Sequence, residues 1–128
     1  MKPGVRLLQR AIRKLQRQDH ISDECFLDES GAYSMVGALC SVAGCSDDLL
    51  RQAYPLEVLD YIPDGGVWQN KPFEFLSVGF TPRDMDAAIT ALEEVIGTED
   101  IELFGGDHPK LVLPAMRQAI RKIQRGKR

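Results

Sequence analysis

The sequence predicts an all-α protein, an orthogonal bundle of about five helices with one long aromatic loop, on three observations. Apolar residues recur at i, i+3, i+4 and i+7 near both ends of the chain, a small apolar stretch lies between them, and Thr81-Pro82-Arg83-Asp84 is a strong helix-start signal. With 128 residues, 44% of them hydrophobic, the chain can build one packed core but not two domains of ordinary size. Residues 1–128 therefore read as a single helical domain with basic terminal helices.

The first helix is predicted over residues 5–18, where Leu8, Ala11, Ile12 and Leu15 form one stripe. At about 100° per residue, Arg6, Arg10, Arg13, Lys14 and Arg17 gather on the opposite face. Residues 18–31 are polar and acidic and read as a long connection, anchored to the core by Phe26 and Leu27. Residues 32–43 are small and apolar all round, as a buried central helix would be. A close helix crossing would explain Gly37 there, and Gly44 would stop the helix.

Ser46 followed by Asp47 and Asp48 suggests an N-cap with acids in the first turn, so a third helix is expected over 47–54, resuming after Pro55 to residue 60. Residues 62–80 are rich in Gly, Pro and aromatics and read as a packed loop pinned by Trp68, Phe73 and Phe75. Thr81 as N-cap, Pro82 at the first helical position and Asp84 three residues past the cap open a helix that ends at Gly97. Its inner stripe is Met85, Ile89, Leu92 and Ile96. A short acidic link ending at Gly105-Gly106 leads to a last helix, opened by Pro109 or Pro114 and running to about residue 125.

The last helix repeats the stripe as Met116, Ala119, Ile120 and Ile123, with Arg117, Arg121, Lys122 and Arg125 outward. Six of nine positions match between QRAIRKLQR at 9–17 and RQAIRKIQR at 117–125. Nine residues are too few for a duplication, so the likeness is read as shared amphipathic physics.

Charge is segregated along the chain. Residues 1–18 hold six Lys or Arg and residues 108–128 hold seven, with no acid in either, while the middle sets three basic residues against all 19 acids. The overall charge of −3 thus averages a middle of −16 and ends of +13. No run is long and apolar enough for a membrane span, and MKPGVRLLQR is charged where a signal peptide would be apolar. A cytoplasmic protein is expected.

Signatures of chemistry are weak. Cys25, Cys40 and Cys45 form no CxxC pair, so neither a disulfide framework nor a zinc site with His20 or His108 is indicated. Cys40 lies in the apolar helix, and acids flanking Cys25 would raise its pKa. Asp23, Glu24, Asp28 and Glu29 cluster around His20, a pattern more typical of a solvated face than of an acid–base site. The paired glycines at 65–66 and 105–106 lack phosphate-binding spacing. No catalytic residue, metal or cofactor is implied.

The sequence Gly-Ala-Leu at 37–39 in a small apolar helix, then Trp68, Asn70 and Pro72, then the capped helix from Thr81, resembles a family of small actinobacterial and phage proteins described only as a domain of unknown function. That family places a cysteine where Tyr33 or Ser34 stands here. The resemblance covers roughly residues 5–96, implies a helical fold and brings no activity with it.

The basic faces are the only candidate that uses many residues at once: Arg6, Arg10, Arg13, Lys14, Arg17, Arg117, Arg121, Lys122 and Arg125. The expected function is a non-enzymatic interaction or regulatory module whose charged surface contacts a protein partner. Nucleic-acid binding through paired basic faces is the alternative, although no aromatics stand among the cations to stack on bases. A small enzyme using the acidic cluster near His20 is the third reading.

Overall fold

A computed structural model describes residues 2–22, 26–52, 78–97 and 101–126. The described residues form six helices: α1 (Val5–Gln16), α2 (Met35–Val42), α3 (Asp47–Gln52), α4 (Pro82–Ile96), α5 (Ile101–Asp107) and α6 (Pro109–Arg125). Among them extended pairing is limited to one antiparallel bridge, Leu27 with Tyr33. The all-α expectation holds. The continuation of the third helix over 53–60, and Trp68, Phe73 and Phe75 of the predicted aromatic loop, lie outside the described residues.

The periodic stripes became the core because each presents an apolar face every 3.6 residues. Leu8, Ala11, Ile12 and Leu15 of α1 are buried, as are Met85 and Leu92 of α4 and Met116 and Ala119 of α6, all in one cluster with Met35 and Leu39 of α2. Each fully buried Leu or Met in that cluster contributes about 1.5–3 kcal/mol. Helix α1 packs against α2, α4 and α6, and α4 packs along α6. The two basic helices are thus neighbours in the fold.

Several expected boundaries move. The central helix begins at Met35 rather than Ala32, because residues 26–34 fold into a tight turn. Asp28 N–H donates to Ala32 O (2.9 Å), and Ser34 N–H donates to Phe26 O (3.0 Å). Ser34 then caps α2, its Oγ accepting from Gly37 N–H at 2.9 Å. Gly37 is required by this turn and not by a helix crossing: a Cβ there would lie 2.0 Å from the Phe26 carbonyl oxygen.

From Ile101 the acidic link before the last helix is itself helical. Gly105 and Gly106 lie inside α5, and Gly105 is buried where a Cβ would make ordinary contact with Met35 Cβ at 3.5 Å. Pro109 opens α6 and Pro114 falls within it. Pro114 is on the exposed side, where water can satisfy the Lys110 carbonyl freed by the missing N–H.

The Thr81 signal is realised in full. Asp84 N–H donates to Thr81 Oγ1 (3.2 Å), and Thr81 N–H donates to Asp84 Oδ2 (2.9 Å), a reciprocal capping box. Asp84 also accepts from Gly4 N–H through Oδ1 at 3.1 Å, which ties the start of α1 to the first turn of α4.

Candidate interaction surface

The nine cations predicted to act together divide by what they touch. Arg6 and Arg10 lie over the ring of Phe80, their guanidinium carbons 5.1 and 5.4 Å from its centroid. Phe80 is 2% exposed, so it anchors these side chains and cannot serve as a stacking platform for a base. Lys14 Nζ stands 4.8 Å above Tyr33. Aromatics absent from the basic segments in sequence are therefore supplied by other segments, and Phe80 was legible only as the last residue of the predicted aromatic loop.

Tyr33 is itself held on several sides. Its N–H donates to Gln18 Oε1 (2.7 Å), Gln18 Nε2 donates back to Tyr33 O (3.1 Å), and its hydroxyl donates to Asp47 Oδ1 (2.7 Å). Burial and the Asp47 hydrogen bond raise the phenol pKa. Lys14 is thereby seated on a rigid surface.

Arg13 and Arg17 on α1, and Arg117 and Arg121 on α6, are exposed. Among the described residues the ion pairs are His20 with Asp28 (3.1 Å) and Lys122 with Glu94 (3.4 Å), so no carboxylate neutralises these four arginines there.

Lys122 and Arg125 turn toward α4. They line an open groove of about 820 Å³ between α4 and α6, with Ala87, Ala91 and Val95 on the α4 side and Ile123 on the α6 side. Arg83 and Lys2 also line it, as do the carboxylates of Asp86 and Glu94. Lys2 and Arg83 were not among the predicted site residues. Lys2 was one of the six basic residues of the N-terminal stretch, but nothing in sequence placed it here. Its Nζ donates to the carbonyl oxygens of Gln124 (3.2 Å) and Gly126, meeting the negative end of the α6 dipole.

Because Gly4 sits against Asp84 and Ala88 while Lys2 reaches Gly126, the first turns of α4 lie beside the last turn of α6. The Lys122–Glu94 pair lies further along the same groove. The last turns of α6, from Gln118, thus face α4 from Arg83 to Val95.

Of the acidic cluster near His20, Asp28 has a structural job. Asp28 Oδ1 accepts from Ser30 N–H (2.9 Å), Ser30 Oγ–H (2.6 Å) and Ala32 N–H (2.9 Å), and Oδ2 faces His20 Nε2 at 3.1 Å. The Ser30 hydroxyl foremost, with the Ala32 N–H and His20, outweighs partial burial and lowers the Asp28 pKa to about 2. A carboxyl so stabilised as its anion is a poor proton donor. Asp23, Glu24 and Cys25 lie outside the described residues.

Cys40 and Cys45 are buried. Burial, with the Asp47 charge, pushes the Cys45 thiol up to about 11, which suppresses the thiolate that nucleophilic chemistry needs. Among the described residues no three metal-ligating side chains gather, and no helix is long and apolar enough to cross a membrane. No known protein family, curated protein or solved structure matches the chain.

Proposed function

We propose that this protein is a non-enzymatic interaction or regulatory module that contacts a protein partner through the charged surface of α1 and α6. The observation that carries the reading is the mixture of charge on that surface. Asp86 and Glu94 of α4 stand in one groove with Lys122 and Arg125 of α6, and a polyphosphate entering it would meet two carboxylates. A polypeptide offers both charges and backbone N–H groups, so it suits such a surface better. The reading takes the described helices as part of an orthogonal bundle carrying the aromatic loop, in a cytoplasmic protein similar to the small helical family resembled in sequence.

The outward arginines support the same role. Arg13, Arg17, Arg117 and Arg121 are exposed on helices whose opposite faces are buried, so their positions are set by the core. Affinity capture from a lysate with the wild-type chain and the Arg13→Glu/Arg121→Glu variant tests the role. Retention of a protein that survives nuclease treatment and disappears in the variant supports it. Retention lost on nuclease treatment, with affinity falling steeply between about 50 and 200 mM salt, would assign the surface to nucleic acid instead. Equal capture by both chains would remove these arginines from the function.

A further inference from the structure

We propose that the groove between α4 and α6 docks an extended acidic peptide segment, whose carboxylates are held by Arg83 and Arg125. This rests on the protein-partner reading above and deepens it by naming the class of segment held in that groove.

The groove holds four cations, two of which are already engaged. Lys2 is spent on the carbonyls at the end of α6, and Lys122 on Glu94. Arg83 and Arg125 remain, both exposed, neither within ion-pair distance of a carboxylate among the described residues. Both guanidiniums line the same groove as the Lys122–Glu94 pair.

The floor is apolar and incompletely covered. Ala87, Val95 and Ile123 are half-buried along it, while Ala91 is buried and Gly4 packs against Ala87. From Arg83 to Val95 the α4 wall is about 18 Å long at 1.5 Å per residue. An extended chain rising about 3.3 Å per residue spans that length with five or six residues. Its side chains alternate, so apolar residues can lie on the floor while acidic ones reach the rim. Asp86 and Glu94 can accept hydrogen bonds from its backbone N–H groups.

The test is fluorescence anisotropy with a labelled hexapeptide of alternating glutamate and leucine, using the full chain at low salt. Arg83→Glu/Arg125→Glu should weaken binding at least about tenfold, whereas Arg51→Glu/Lys110→Glu, the same charge change at exposed positions outside the groove, should change it less than about twofold. Arg83 and Arg125 are exposed, so their variants should fold, and circular dichroism checks this. Thr90→Trp, an exposed position in the groove lining, fills the space without altering charge and should also weaken binding at least about tenfold.

Loss of binding in Arg13→Glu/Arg121→Glu with the Arg83/Arg125 variant unaffected would overturn the groove and leave the protein-partner reading standing. Insensitivity to Thr90→Trp would likewise overturn it, because the cations would then be acting outside the groove. Equal binding of a lysine–leucine hexapeptide would refute the charge argument. No binding by the wild-type chain up to about millimolar peptide would end the proposal, while the lysate experiment decides the broader reading separately.

Discussion

Two places in the molecule lack side-chain bulk, and they use the lack in opposite ways. At Gly37 the backbone of Phe26 moves into the space, and the seam between α2 and the 26–34 turn is closed, buried and hydrogen-bonded. At Ala87 and Ala91 the backbone of Gly4 closes only part of the space, and the seam between α4 and α6 stays open, with charged groups along its length. Small residues alone therefore do not mark a site. What distinguishes the two seams is whether the chain supplies its own occupant and whether the polar groups around the space already have partners.

The closed seam should be the most easily broken. Gly37→Ala places a methyl carbon against the Phe26 carbonyl, which is backbone and cannot swing aside, so the turn must separate from α2. A loss of about 3 kcal/mol or more is expected, read as a drop in the denaturation midpoint. A loss near zero would mean that the turn is not seated on α2 in solution.

Gly4 lies at the head of the open seam and should come next. It combines a φ of 90° with a Cβ position 3.0 Å from Ala88 N. Gly4→Ala is expected to cost about 2 kcal/mol and to weaken the Gly4–Asp84 tie between α1 and α4.

Asp28 gives the closed seam a pH dependence. Its pKa is depressed to about 2 in the folded chain from an ordinary 3.8, so its contribution is present above about pH 4 and is lost as pH falls toward 2. Asp28→Asn should flatten the stability profile between those limits. The carboxylate is partly exposed and its charge screened, so the effect should be on the order of 1 kcal/mol. An unchanged profile would show that the anion does not hold the turn.

The closed and open seams also differ in how far sequence reveals them. The stripe of α1, the small apolar residues of α2 and the Thr81 capping box follow from periodicities and local hydrogen-bond chemistry, so the elements were readable. Gly37 stood out as costly in a helix, but its reason was misassigned to a helix crossing, because the Phe26 contact belongs to a turn. Gly105 and Gly106 read as a turn pair, yet they lie in α5, where proximity to Met35 and Val112 overrides weak helix propensity. The nine cations were legible as two helix faces. Their partition among Phe80, Tyr33 and the groove was not, since it depends on which segments pack beside α1 and α6. Arg83 was hidden for the same reason: in sequence it is a cap-region residue, and only the packing of α6 on α4 places it in one groove with Arg125.

The smallest expected change in stability bears most directly on the open seam. Glu94 and Lys122 are each about half exposed, 53% and 48%, so their 3.4 Å pair gains little over two hydrated ions. Glu94→Gln should alter stability by less than about 0.5 kcal/mol. The same substitution removes one of the groove's two carboxylates and frees the Lys122 ammonium, so the glutamate–leucine peptide should bind about two- to threefold more tightly, the gain shrinking with added salt. Gln keeps an amide oxygen to accept a peptide N–H, so a gain in binding without a change in stability isolates the charge term. Weaker binding would instead mean that Glu94 serves the peptide as an acceptor whose full charge matters, and the balance between cationic rim and anionic wall would have to be reversed.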